Sequence, residues 1–232
     1  MDLGRLLLGY KNNASPEGRF RLRVANAEGL RIGSLTCLDR GLSSDARVVA
    51  VLTEWRRRHM HYFLTQFVAT SERTLAWLER IVLPAPDRIL FLIHTADDDL
   101  VGNCGVCNLD PSYGALDNVI RGEKRGAARL TYFSEIALLS WLYGAVGCRR
   151  AGLQVFSNND HAIALYSRLG FSVARKRKLT FRDHSDGRTY DIDSALGDPA
   201  GFDCLEMTLE KGDFLRAHPW VRQVYPEDFH GA

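Results

Sequence analysis

The sequence predicts a mixed α/β layer fold, and three observations carry that reading. Arg88–His94 is an uninterrupted apolar run of strand length, which implies a strand covered on both faces. Two stretches have helical spacing, one with Leu130, Phe133, Ala137 and Trp141 and one with Ala162, Leu165, Tyr166 and Leu169, and a short strand-like segment, Arg150–Phe156, separates them. The elements do not alternate strictly. Strand, two helices, three strands, helix, strand, helix and two strands follow one another, which fits a layered sheet rather than a regular barrel.

Composition limits the alternatives. A chain of 232 residues, 46% hydrophobic, can bury one large core without disulfide or metal staples. Its net charge of +2 gives no footprint for nucleic acid or membrane. Five cysteines, an odd number without framework spacing, suit a reducing cytosol. Cys104 and Cys107 form a lone C-x-x-C and read as strand residues, because no second pair or nearby His completes a zinc site. His184, His218 and His230 have no ligand spacing, and no metal is expected. The opening MDLGRLLLGYKN is too short an apolar run for a signal peptide, and no window reaches the ~20 residues of a spanning helix. A cytoplasmic protein is expected.

Each element follows from local chemistry. Apolar alternations at Leu6–Tyr10 and Phe20–Val24, with turn signals from Lys11 to Gly18 between them, read as an edge hairpin or loose arm, and residues 1–28 form that arm. Leu30–Leu38 is a strand. Ser44 and Asp45 offer an N-cap to a helix carrying Val48, Val51, Leu52 and Trp55. A second helix begins at Thr70 and Ser71, buries Leu75, Leu78 and Ile81, and ends before Pro84 and Pro86. Leu100–Leu109 and Ala115–Ile120 are strands after the turns at Asp97–Asp99 and Asp110–Gly114. The helix through Leu130 ends at Gly147. Asn159 caps the next helix, and Gly170 closes it. Ser172–Arg182 and Asp203–Leu209 are the last strands, with a hairpin turn at Asp186 and Gly187. Residues 29–211 make one α/β domain and 212–232 a C-terminal tail.

Two segments point to chemistry. Arg121–Gly126 is a basic, glycine-flanked loop that opens a helix, where free backbone N–H groups and the dipole's positive end favour a diphosphate. The second segment is Val155–Phe171, VFSNNDHAIALYSRLGF. Its Asn159, Ala162, Tyr166, Gly170 and Phe171 resemble the signature of GNAT-type N-acetyltransferases, and they follow the loop at that family's usual distance.

The resemblance covers 30–209 and implies a GNAT-like fold: a mixed, mostly antiparallel central sheet with a splayed strand pair, flanked by helices. Strand 115–120 would part from strand 150–156 to admit the pantetheine of acetyl-CoA, the implied cosubstrate. Cofactor-binding residues would be Asn118, Val119 and Ile120 on the strand, then Arg121, Gly122, Lys124, Arg125, Gly126 and Ala127 in the loop, with Asn159 and Tyr166. The loop departs from the family pattern. Matching Gly126 and Ala128 puts Glu123 where Gln or Arg belongs, and matching Arg121 puts Lys124 where Gly belongs. Tyr166 would be the acid for the thiolate and Asp117 the base, with a relayed water equally open. If Asp117 and Val119 share a face, Asn118 and Ile120 take the other, and which face meets substrate stays open.

LTEWRRRHMHYF at 52–63, with Thr70–Leu78 and Asp117–Gly122, resembles the branch that acetylates nucleotide-linked amino sugars, although Arg57 stands where that branch has Asn. Trp55, Arg56 and His59, with His61 and Tyr62, would then wall a sugar and its diphosphate; the other reading makes Trp55 core. The expected partner is a small-molecule amine, with a homodimer also compatible. A peptide, protein or aminoglycoside acceptor and a non-catalytic CoA-binding module are the alternatives.

Overall fold

The apolar run at 88–94 does what its composition dictates: Ile89 to Ile93 are all buried. Around it the computed structural model, which describes residues 2–13 and 15–229, builds one sheet. Its strands are β1 (Arg21–Ala25), β2 (Arg31–Cys37), β3 (Thr65–Phe67), β4 (Ile89–Thr95), β5 (Leu100–Cys107), β6 (Tyr113–Arg121), β7 (Arg150–Phe156), β8 (Ser172–His184), β9 (Gly187–Ile192) and β10 (Asp198–Glu210). They lie in the order β1-β2-β4-β5-β6-β7-β10-β8-β9-β3. All neighbours are antiparallel except β6 and β7, so the mixed, mostly antiparallel sheet is as expected.

The helices are α1 (Leu3–Asn12), α2 (Arg40–Ser43), α3 (Ala46–His59), α4 (Ser71–Trp77), α5 (Leu130–Tyr143), α6 (Asp160–Leu169), α7 (Lys211–Ala217), α8 (Val221–Val224) and α9 (Pro226–Phe229). One core joins a sheet face to α5, α6 and the C-terminal helices. A second, with Leu52, Trp55, Leu78, Leu92 and Ile120, lies under α3 and α4. A third, around Phe156, Leu179, Tyr190 and Cys204, sits in the β8–β10 extension.

Local caps set the helix ends as their chemistry requires. Asp45 accepts from Arg47 N, Thr70 from Arg73 N and Asn159 from Ala162 N, and Gly170 closes α6 at φ 101°.

Several expectations change. Leu6–Tyr10 is helical: Asp2 caps α1, and Leu7 and Lys11 share its buried stripe at i,i+4. Only β1 joins the sheet edge. Ile81 is 49% exposed, because the chain widens into a π-helical turn at Leu78–Val82 and rotates that position outward. The helix α5 ends at Tyr143 rather than Gly147, and it is buried on nearly all sides. Residues 212–229, expected as a tail, pack Phe214, Val221, Val224 and Tyr225 into the first core, and Asp228 abuts Gly144 at the end of α5. The short α2 and strand β3 had no counterpart in the sequence reading.

Lys11 ties α1 down. Its ammonium is fully buried and donates to the carbonyls of Val82 (3.1 Å), Ala85 and Arg88 (2.8 Å), which end the π-helical turn and lead into β4. Replacing it strands three carbonyls at once. Lys11→Met should lower stability by about 2–3 kcal/mol in urea denaturation; an unchanged midpoint would mean that water reaches those carbonyls.

Candidate active site

The gap begins at a short parallel ladder. Tyr113, Gly114 and Ala115 pair with Arg150, Ala151 and Gly152, and there the pairing of β6 with β7 stops. From Leu116 to Arg121 the edge of β6 that faces β7 has no strand partner. Gly152 allows this apex, because a side chain there would collide with the Tyr113 ring and hydroxyl.

On its other edge β6 carries a bulge. Gly105 pairs with Asp117 and Asn103 with Ile120, so three steps on β6 match two on β5. The extra residue is Asn118, at φ 51°, and Asn103 Nδ2 donates to its carbonyl. The bulge breaks the regular alternation of faces along β6. Leu116 and Val119 pack into the first core and Ile120 into the second, under α3 and α4.

The open strands lead into a cleft of about 2250 Å³ lined from α3, β3, β6, β7, α6 and β8. Tyr166 reaches it from α6 while 9% exposed. Burial holds its hydroxyl protonated well above the usual phenol range, reinforced by Glu135, Asp117 and Cys104. Asp117 forms an ion pair with Arg88 and accepts from Asn118 Nδ2 at 2.7 Å. Asn159 lines the cleft with its Oδ1 committed to the α6 cap.

At the wide end, Gly122 N and Glu123 N both donate to Val101 O and fasten the loop to β5. The backbone N–H groups of 124–129, Thr131 and Tyr132 make no backbone hydrogen bond. Positive φ at Gly126 (84°) and Arg129 (61°) curls this stretch into a concave turn against Thr95. Such a set of free donors beside Lys124 and Arg129 fits a diphosphate. Arg125 points elsewhere, 3.9 Å from Asp99, and Gly126 and Ala127 contribute backbone rather than cleft wall. Sequence reading missed Arg129, Thr131 and Tyr132, although Arg129 stands one residue before the apolar helix and was open to notice.

At the acceptor end one expectation fails. Trp55 is 1% exposed; its indole donates to Glu123 Oε1 at 3.0 Å, and Gly122 sits flat against the ring with no room for a Cβ. It is core and does not wall a substrate. Arg56, His59 and Tyr62 do line the cleft. Arg56 lies over the Phe63 ring, 3.4 Å from its centroid, and burial lowers its pKa to about 10 while Asp117 opposes that shift. Burial also lowers the pKa of His59, with Arg58 and His61 adding to it, so its imidazole is neutral at physiological pH. Opposite, β3 pairs with β9 through Thr65, Gln66 and Phe67, which joins the α3–α4 connector to the β8–β9 hairpin and closes this side of the cleft.

The family model for the acetyltransferase (GNAT) domain matches residues 48–192, more than half of the chain. The chain belongs to the GNAT acetyltransferases. Solved structures agree on the fold. A GCN5-related N-acetyltransferase from Brucella melitensis superposes with a TM-score of 0.62 at 13% identity, over 94% of this chain and 90% of that one. Spermidine N-acetyltransferase from Vibrio cholerae, in complex with CoA and spermine, gives 0.57 at 18%, over 78% and 96%. The ribosomal L7/L12 α-N-protein acetyltransferase RimL gives 0.57 at 14%, over 85% and 99%. No curated protein matches the sequence.

GNAT acetyltransferases use acetyl-CoA, and this domain offers the splayed edge and donor-rich turn that such a ligand needs. Among the described residues no group of three His, Cys, Asp or Glu side chains could hold a metal. His218 is 5% exposed, with Nε2 3.0 Å from Leu169 O, and His230 lies outside the described residues. No described helix is long and apolar enough to cross a membrane.

Behind the GNAT cleft, Glu135 on α5 is fully buried and neither carboxyl oxygen has a hydrogen-bond partner. Burial raises its pKa from 4.5 to about 8, with the neighbouring Cys104 thiol opposing. The folded chain therefore keeps a proton that the unfolded chain releases. This contribution to stability is complete below about pH 4.5 and is lost as pH rises through about 8. Glu135→Gln should melt at least about 2 °C above wild type at pH 8, the difference vanishing near pH 4.5; parallel melting curves at all pH values would refute a protonated Glu135.

Proposed function

We propose that this GNAT domain transfers the acetyl group of acetyl-CoA to the primary amine of a small molecule, a nucleotide-linked amino sugar being the acceptor class. The gap between β6 and β7, with the Tyr166 hydroxyl on it, is the observation that carries the reading. The pantetheine arm runs along the unpaired edge 116–121, and the diphosphate rests on the N–H groups of 124–129, Thr131 and Tyr132. The neutral amine attacks the thioester carbonyl, negative charge gathers on its oxygen, and the C–S bond breaks. Backbone N–H groups at the Asn118 bulge stabilise the oxyanion. Tyr166 gives its proton to the departing thiolate.

Asp117 is held between Arg88 and Asn118. That geometry suits orienting the ammonium and accepting its proton through water more than direct abstraction. The closure by β3 and β9 favours a small acceptor over a peptide laid through an open groove. Among small acceptors, the aromatic side chains Tyr62, Phe63 and Phe67 give a sugar ring faces to lie on.

Thiol release from acetyl-CoA with a panel of amino sugars, nucleotide-linked amino sugars, aminoglycosides, polyamines and peptides tests the assignment. Turnover is expected with amino sugars, highest when nucleotide-linked; turnover with peptides alone eliminates it. Tyr166→Phe should bind CoA normally and lose at least about 10-fold in kcat. An unchanged kcat would remove the acid role.

A further inference from the structure

The carboxylates of the cleft are all accounted for. Five carboxylates line it, Asp117, Glu123, Asp186, Glu206 and Glu210, and each is paired with an arginine: Arg88, Arg58, Arg73, Arg177 and Arg150 in turn. No free carboxylate is left to receive a polycation. Arg56 is one of six cleft-lining cations without a carboxylate partner among the described residues, with Arg121, Lys124, Arg129, Arg168 and Arg175, and it is the one of them that lies over an aromatic ring. Among the described residues it has no carboxylate within ion-pair distance, since nearby Asp117 is already held by Arg88 and Asn118.

Its guanidinium is nevertheless fixed in place. One face lies on Phe63, Phe67 is 5.6 Å from it, and Nη2 donates to Thr65 O at 3.1 Å. Nε is buried and has no hydrogen-bond partner at all. A donor left unmade in a desolvated site disfavours that site unless a ligand supplies the acceptor. A planar guanidinium held flat, with donors to spare, matches an oxyanion. Its position on the last turn of α3, beside β3, puts it at the acceptor end rather than at the diphosphate turn.

We infer that the acceptor carries an anionic oxygen group, carboxylate or phosphate, and that Arg56 is the residue that recognises it. The inference rests on the acetyl-transfer reading above and sharpens it: the pocket selects anionic amines and disfavours polyamines.

Two measurements test this. The first uses matched acceptors, an amino-sugar phosphate beside the free amino sugar and an amino acid beside its amide, with wild type, Arg56→Met and Arg56→Lys. Wild type should prefer the anionic member at least ~10-fold in kcat/KM, chiefly through KM. Arg56→Met should erase that preference and Arg56→Lys restore part of it, with the Kd for CoA confirming an intact fold. Preference for spermidine or for the uncharged members, or an equal loss for both members in Arg56→Met, overturns the inference. The second is calorimetry on CoA-saturated protein, in which the diphosphate turn is filled, using inorganic phosphate and malonate as probes. Saturable binding is expected, at least ~10-fold weaker in Arg56→Met; the stronger probe identifies phosphate or carboxylate. Absent binding, or equal binding in the variant, overturns the assignment to Arg56. Should no amine release thiol while a probe still binds through Arg56, the acceptor class of the preceding subsection fails and the anion site stands.

Discussion

Everything in this molecule that bears on chemistry depends on two neighbouring strands that stop pairing. After three residues of parallel ladder, β6 and β7 separate, and an edge that a sheet would normally satisfy internally is left with open donors and acceptors. Such an edge invites aggregation unless something covers it. Here it lies inside a cleft, flanked by α5 and α6, where a ligand rather than another chain can reach it. The Asn118 bulge on the far edge adds twist and re-aims the side chains that follow it, and Val119 and Ile120 enter different cores.

Burial and charge divide the labour around that gap. The side toward α5 is apolar and dense, and it isolates Glu135 without a hydrogen-bond partner. The other side is crowded with charges, most of them neutralised in pairs. A cleft in which nearly every acid already holds an arginine presents little net attraction to small cations. What remains is cationic: the turn that carries Lys124 and Arg129, Arg168 on α6, Arg175 on β8, and the guanidinium of Arg56 stacked on Phe63.

The legible parts of the fold were those whose causes are local. Asp45, Thr70, Asn159 and Gly170 act within a few residues of themselves, so their caps can be read directly. The run Ile89–Ile93 announces its own burial. The gap was reached only through the spacing of Asn159, Tyr166 and Gly170 after a basic loop. What escaped depends on partners far along the chain. Leu7 and Lys11 become helical because carbonyls at 82–88 wait for the ammonium, and the bulge at Asn118 needs Asn103 from the next strand. A tryptophan in an amphipathic helix can face either way, and only the flat surface of Gly122 decides that Trp55 turns inward. The stripe on α5 suggested one wet face, but the C-terminal helices cover it.

The joining of β3 to β9 has a consequence for how such a protein can diversify. Residue 65 meets residue 189 through a ladder of three pairs at the sheet's end, as short as the β6–β7 apex. Lengthening or loosening that seam would reshape the α3 end of the cleft and leave the gap between β6 and β7 untouched. The two ends of the cleft thus rest on separate elements of one scaffold, each open to change without the other.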